Sequence, residues 1–346
     1  MNRKGGYEKA QNHKEEQGGF LSLSRPVVAF RAVFVLGVWP FMMDHVTGRG
    51  RSGWTQVGAA FLLAFGVAVF GAPYLFNGLI ALGRAVPSVE FLRDVEFEEV
   101  FTRTFVMALL LSFAVLSVMG GRGFREGIGF RRDPHGGRRL LAGFGLGAVT
   151  MAAVYLIGCL VGAYRPVSGL GLGVLGVLAG ALIGALLVGL IEESVFRGGL
   201  FGGLRDTLGV PAAATVSSFI FAALHFASPI PLAGVVRGHW YSGLKIVPDL
   251  FRGLLTGTDV QPFILTVFVM ALVLCLFFQR QGSIYFVMGL HAGWVWIIGS
   301  GGALLEAVGE PGAFLRTPGD APRGYLALLV MLLFALVAVW RRERHA

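Results

Sequence analysis

Five ionisable residues lie within or at the ends of apolar stretches, and they carry most of the chemistry that this sequence predicts. Three of them occur in IEESVFR at 191–197, as Glu192, Glu193 and Arg197. The other two are His225, at the end of FAALH, and His291, within GLHAGW. An ionisable side chain in a membrane span is costly and therefore usually functional. A Glu pair with two histidines is typical of a hydrolytic or proton-transferring site.

The two glutamates are expected to behave differently. Glu193 and Arg197 are four residues apart, so on a helix they share a face and can form an ion pair. Glu192 points about 100° away around the same helix. This leaves Glu192 without a cationic partner and free to act as a general base. The alternative interpretation of the stretch is a cluster of interfacial charges whose long side chains reach toward water.

The elements that hold these residues are predicted to be membrane-spanning helices. Of the 346 residues, 55% are hydrophobic and only 14% are charged, and the mean hydropathy is +0.71. A soluble domain has roughly a quarter of its residues charged, and a run of about 20 apolar residues spans a bilayer. We predict an all-α polytopic bundle of eight spans at about 56–82, 103–119, 140–163, 171–196, 211–228, 263–279, 283–300 and 324–340.

The ends of the chain are predicted from their charge. Residues 1–26 form a polar tail, and the run 27–44, which contains Arg31 and Pro40, is predicted to be an interfacial helix that does not cross. Basic residues concentrate in cytosolic segments. Six arginines lie in 120–139, and the C-terminal tail is also basic. Six predicted spans separate the 120–139 loop from the C-terminal tail, and two separate it from residues 1–26. Because both numbers are even, both tails are predicted to be cytosolic, in a bacterial inner membrane.

Other compositional features have simpler interpretations. The net charge of +9 is explained by membrane orientation, and no nucleic-acid partner is expected. Cys159 and Cys275 form no ligand cluster and are predicted to be small core residues. Gly176, Gly180 and Gly184 are spaced to form a helix-packing seam. The Gly143–Gly147 run lies in an apolar helix, which argues against a dinucleotide site.

In order and spacing, the motifs EExxxR, FxxxH and a later His in a third span resemble the CPBP family of CAAX and bacteriocin-processing proteases, which includes the Ras-converting CAAX prenyl endopeptidases. The matching residues are Glu192, Glu193, Arg197, Phe221, His225 and His291. The resemblance covers roughly residues 140–300. One position departs from it: the family often has Asn one turn after the last His, where this chain has Val295.

The resemblance implies eight membrane helices and peptide-bond hydrolysis within the bilayer. Glu192 would activate water, Glu193 would pair with Arg197, and His225 and His291 would stabilise the oxyanion or bind a metal. Glu192, His225 and His291 together would suit zinc, and the sequence leaves the metal and the glutamate mechanisms open. The partner would be a membrane-associated protein or peptide, such as a prenylated tail, a leader peptide or a C-terminal anchor.

On this interpretation the chain divides into four parts: the tail 1–26, the N-terminal helices and Arg-rich loop 27–139, the catalytic core 140–300, and the last loop, span and tail 301–346. Two other classes of function remain open. A proton-coupled transporter would use Glu192 and the histidines as a relay. A catalytically inactive scaffold or immunity protein would keep the fold without the activity, and Val295 is its main support.

Overall fold

The structure, a computed structural model, describes residues 53–225, 239–246, 248, 260–310 and 312–343. Within these ranges it is an all-α bundle, which confirms the predicted fold class. The helices in chain order are α1 Gly53–Ala85, α2 Phe97–Met119, α3 Gly121–Gly127, α4 Gly136–Leu160, α5 Gly173–Glu193, α6 Gly202–Leu208, α7 Val210–His225, α8 Val260–Gln281, α9 Tyr285–Leu304 and α10 Tyr325–Glu343.

Shorter elements join these helices. Two 3₁₀ helices span Pro87–Asp94 and Pro318–Arg323, and a π-helix spans Ser194–Phe201 between α5 and α6. Strand β1, Tyr164–Pro166, pairs antiparallel with β2, Leu305–Ala307. This small pair, which the sequence did not predict, ties the end of α4 to the end of α9.

The described residues contain six helices long and apolar enough to cross a membrane, which makes this a multi-pass membrane protein. They are Gly58–Ala85, Phe97–Leu116, Gly136–Leu160, Gly173–Leu208, Pro262–Gln281 and Tyr285–Leu304. The other two predicted spans correspond to shorter apolar helices, Val210–His225 and Tyr325–Trp340. The predicted interfacial run 27–44 and the tail 1–26 lie outside the described residues.

The Arg-rich segment 120–139 and the end of α10 lie at the same end of the bundle. The Nη1 of Arg139 donates to the backbone oxygen of Gln281 at 3.3 Å. The Nη1 of Arg280 donates to the backbone oxygen of Ala338 at 2.8 Å. The even number of crossings inferred from the sequence requires this arrangement. Which side of the membrane this end faces stays a prediction.

At the opposite end of the bundle, Tyr164 is hydrogen-bonded to the loop before α10. The Tyr164 hydroxyl donates to the backbone oxygens of Leu315 at 2.7 Å and Arg316 at 2.8 Å. Burial, followed by the nearby Cys159, raises the pKa of the Tyr164 phenol to about 12. The phenol therefore keeps its proton over the physiological range and remains a donor, which holds the 3-residue strand β1 against the loop before α10.

Glycines bring α4 and α9 into direct backbone contact. A Cβ on Gly143 or Gly147 would collide with α9 backbone, and one on Gly289 or Gly293 would collide with α4 backbone. Small residues on both sides allow membrane helices to approach closely. The predicted seam on α5 is wrong for the described residues, because no described atom lies within 4 Å of a Cβ built on Gly176, Gly180 or Gly184. The spacing indicates a small-residue face, but the packing partner depends on the fold.

Candidate active site

Glu192 and Glu193 lie within a long helical segment and not at the end of a span, which corrects the predicted boundary at 196. Helix α5 continues through the π-helix Ser194–Phe201 into α6, so the helical path runs from Gly173 to Leu208. In the structure Gly198 lies so close to the Ile128 backbone oxygen that a Cβ would collide with it. The wider π turn accommodates this approach at the site, where π segments are often found.

The longer helix explains how His225 comes level with Glu192. The chain reverses at Gly209, whose φ of +76° suits glycine. Glu192 lies 17 residues before this turn and His225 lies 16 residues after it. At about 1.5 Å per residue, the two side chains are about 25 and 24 Å from the turn. The predicted spans 171–196 and 211–228 would place His225 deeper than Glu192, because they end the first helix at 196.

The position of His291 follows from the glycine contacts of α9. Gly289 and Gly293 hold one face of this helix against α4. His291 comes two residues after Gly289, about 200° around the helix, and so points away from α4. It faces the α5 segment, where its side chain is only 6% exposed. The glycines therefore fix the rotation of α9 that directs the imidazole into the site.

Glu193 is the centre of a buried ion-pair network. Its Oε1 accepts from Arg197 Nη1 at 2.9 Å, as the four-residue spacing predicted. The same Oε1 also accepts from His291 Nδ1 at 2.8 Å, a contact that the sequence did not indicate. The side chains of Glu193 and Arg197 are 0% and 1% exposed. Glu193 thus joins the α5 segment to α9 and orients the His291 ring.

The second histidine is oriented by the backbone. His225 Nδ1 lies 2.9 Å from the Phe221 carbonyl oxygen. Because a carbonyl oxygen only accepts, this bond assigns the proton to Nδ1 and leaves the lone pair on Nε2. The Nε2 atoms of His225 and His291 each lie 3.9 Å from Glu192 Oε2. The structure therefore brings together the three residues that the sequence separated by up to 99 positions.

Glu192 is the accessible member of the group. Its side chain is 28% exposed, against 0% for Glu193, as expected from their different faces of the helix. Among the described residues Glu192 Oε2 has no hydrogen-bond partner. A carboxylate oxygen and the ring nitrogens that face it are acceptors when the rings are neutral. The gap between them therefore suits a group that donates protons, such as water.

The same three side chains were predicted to suit zinc. Zinc ligands lie about 2.0–2.2 Å from the metal, which places neighbouring ligand atoms of a tetrahedral site about 3.4 Å apart. The 3.9 Å separations are wider. No cluster of three or more His, Cys, Asp or Glu in the described ranges is arranged to hold a metal ion. In this arrangement the residues do not fit zinc, so no step below is derived through a metal.

Phe221 has a larger part in the site than its place in a short motif suggested. Its ring lies beneath the Arg197 guanidinium, with the Cζ atom 4.4 Å from the ring centroid. The ring also contacts His225, with the two centroids 4.4 Å apart. Val295, at the position where the family often has Asn, is half-buried one turn after His291.

Comparison with known proteins finds a family match over the segment that holds the site. Residues 173–297, which contain all five site residues, match the family described as Type II CAAX prenyl endopeptidase Rce1-like. No curated protein and no solved structure matches the chain. The catalytic roles of the five residues stay predictions, while the family itself is one of proteases. Residues 173–297 are therefore similar to the CAAX prenyl endopeptidases of the CPBP family.

Proposed function

We propose that this protein is an intramembrane endopeptidase that hydrolyses a peptide bond in a membrane-associated substrate, with Glu192 as general base. The observation that carries the proposal is the convergence of His225 Nε2 and His291 Nε2 on Glu192 Oε2, each at 3.9 Å. A carboxylate whose Oε2 has no hydrogen-bond partner among the described residues, and which faces two oriented imidazoles, is the arrangement that positions and activates a water molecule.

The reaction begins with the transfer of a proton from water to Glu192. The oxygen of that water forms a bond with the carbonyl carbon of the substrate, and the carbonyl π electrons move onto its oxygen. The C–N bond then breaks, and the proton held by Glu192 passes to the departing amine. As the C–N bond breaks, the electrons on the oxyanion re-form the C=O bond. The proton of the new carboxylic acid passes to the amine, so the products are a carboxylate and an ammonium group, and Glu192 returns to its ionised form. General acid–base catalysis of this kind contributes about 10²–10⁴-fold to the rate.

The two histidines have different supports and are assigned different functions. His225 is held by a neutral carbonyl, so its Nε2 lone pair orients the water. His291 is held by the Glu193 carboxylate, which accepts from its Nδ1 at 2.8 Å. Protonated His291 would donate its Nε2–H to the oxyanion, the charge that develops in the transition state. This divides orientation of the water and stabilisation of the oxyanion between two rings.

The test is cleavage of a panel of membrane-tethered peptides in liposomes. The panel contains prenylated C-terminal tails, leader peptides and C-terminal anchors. We expect the native protein to cleave at least one of them and Glu192→Gln to reduce the rate by at least about 100-fold. Glu99→Gln is the matched control, because Glu99 lies on an exposed face of α2 with 53% exposure. Equal cleavage by the native protein and Glu192→Gln would refute the proposal.

The transporter alternative makes a distinct prediction in the same liposomes. A proton relay through Glu192 would move protons across the bilayer without peptide. A pH-sensitive dye inside the vesicles detects this movement. Protein-dependent proton uptake that Glu192→Gln abolishes, together with no peptide cleavage, would favour the transporter.

A further inference from the structure

The Phe221 side chain contacts three other residues of the candidate site. Its side chain is 3% exposed. Its ring centroid lies 4.4 Å from the His225 ring, 6.0 Å from the His291 ring and 4.4 Å from the Arg197 Cζ atom. Its backbone oxygen accepts from His225 Nδ1. Phe221 is therefore in contact with both imidazoles and with the cation of the ion-pair network.

The contact with the Phe221 ring compensates for hydrogen bonds that the buried Arg197 guanidinium lacks among the described residues. Arg197 is 1% exposed and makes one charged hydrogen bond, through Nη1 to Glu193. Its Nε and Nη2 have no hydrogen-bond partner among the residues that the structure describes. A guanidinium stacked on an aromatic face is attracted by the negative charge density of the ring. The face of Phe221 supplies an electrostatic partner where hydrogen-bond acceptors are lacking.

The Phe221 ring also couples the positions of side chains that lie on different helical segments. Phe221 lies on α7, Arg197 on the π-helix and His291 on α9. The Phe221 and Phe196 rings also meet in an edge-to-face arrangement, at a centroid distance of 4.8 Å and an angle of 86°. Displacement of Phe221 would free the guanidinium, whose Glu193 partner holds His291 in place. It would also remove the surface on which the His225 ring rests.

We infer that Phe221 is a positioning residue for this site: its aromatic face holds Arg197, and through Arg197 and Glu193 it fixes His291 while it directly supports His225. The inference rests on the proposed function, and names a further residue on which that function depends. Phe221 acts through the other residues. What matters is the π face, so a side chain of similar volume without that face should not replace it.

The experiment compares Phe221→Leu with Phe221→Tyr. Both keep the backbone carbonyl that binds His225, but only Tyr keeps an aromatic face. We expect Phe221→Leu to lower kcat at least 10-fold, with a change in KM of less than threefold. Phe221→Tyr should stay within threefold of the native kcat. A loss of the same size in both variants, or a loss confined to KM, would overturn the inference.

Phe201→Leu is the control for lost packing. Phe201 is 0% exposed and packs edge-on against Phe278 at 6.2 Å. It contributes a buried ring to a different hydrophobic cluster from that of Phe221, so its replacement should lower thermal stability while kcat is retained. If Phe201→Leu and Phe221→Leu lower kcat in proportion to their loss of thermal stability, Phe221 is only a core residue and the inference fails.

A measurement without substrate separates this inference from the proposed function. Diethylpyrocarbonate modifies accessible imidazoles, and mass spectrometry reports the rate at each histidine. His225 is 31% exposed, and its rate should rise at least threefold in Phe221→Leu, while the rate at the exposed His135 stays constant. This result in a protein that cleaves no peptide would refute the proposed function and uphold the positioning of His225. Unchanged His225 labelling would overturn the positioning.

Discussion

Replacement of Glu193 by Gln should destabilise the protein far more than replacement of an exposed glutamate in the same helical spacing. Glu193 and Arg197 are 0% and 1% exposed, so removal of the carboxylate charge leaves a buried guanidinium without an anion. Breaking a buried pair costs about 3–5 kcal/mol. Because Gln keeps one oxygen that can accept from Arg197, we expect the lower value of about 3 kcal/mol, a change of about 100-fold in the unfolding equilibrium.

The chain provides a matched reference pair. Glu99 and Arg103 have the same four-residue spacing and a separation of 3.0 Å, but they are 53% and 74% exposed. An exposed pair of this kind contributes about 0.2–1 kcal/mol, so Glu99→Gln should change the free energy of unfolding by less than about 1 kcal/mol. The contrast isolates burial, since the residue types and their spacing are the same.

The assay is equilibrium unfolding of the purified protein in mixed micelles, followed by circular dichroism, for both single variants. The double variant Glu193→Gln with Arg197→Met should recover part of the loss, because it removes the unpaired cation as well. Equal destabilisation by Glu193→Gln and Glu99→Gln would refute the buried ion pair. A double variant that loses as much stability as Glu193→Gln alone, or more, would also refute it.

Three further predictions concern the chemistry and the membrane topology. Val295→Asn places an amide one turn beyond His291 at a half-buried position. This variant should raise the rate of peptide cleavage, because the amide would be a second hydrogen-bond donor to the oxyanion. A lower or unchanged rate would count against an oxyanion near this turn. Prolonged treatment with the chelator 1,10-phenanthroline should leave the rate of peptide cleavage unchanged, and metal analysis should find less than one zinc ion per protein molecule. Loss of cleavage that added zinc restores would favour the metal mechanism. Asn12→Cys should resist a membrane-impermeant thiol reagent in intact cells, since the tail 1–26 is predicted to be cytosolic; labelling there would make 27–44 a further span.

The sequence was sufficient to predict the long apolar helices, because bilayer thickness sets the length of each apolar run. It did not predict the strand pair β1–β2 or the continuation of the α5 segment past 196. It was also sufficient for contacts within one helix. The four-residue spacing of Glu193 and Arg197 required only helical geometry, and the structure confirms it at 2.9 Å. The convergence of Glu192, His225 and His291 was expected from motif order, and the structure brings their polar atoms within 3.9 Å in two pairs. Their catalytic roles stay predictions.

Contacts between distant helices were beyond the sequence alone. Glu193 and His291 are 98 residues apart, and nothing in their neighbours specifies the pairing. A partial signal for the α4–α9 contact was present, since Gly143 and Gly147, and Gly289 and Gly293, have the same four-residue spacing. The triplet on α5 has that spacing too, yet it faces no described atom. Small residues identify faces that are able to pack, and the rest of the fold selects which of them do.

Replacement of Glu192 by Gln should affect the free energy of unfolding differently from replacement of Glu193 by Gln. The buried group contains two carboxylates, Glu192 and Glu193, but one guanidinium, Arg197, and Glu193 already accepts from Arg197 and His291. Glu192 Oε2 has no described hydrogen-bond partner. A charge held in such a position opposes folding, and functional residues often reduce stability in this way. Glu192→Gln should leave the free energy of unfolding unchanged or raise it by up to about 1–2 kcal/mol, measured in the same micelles as Glu193→Gln. A loss of stability equal to that of Glu193→Gln would mean that Glu192 holds the fold together, and its assignment as the free base would be wrong.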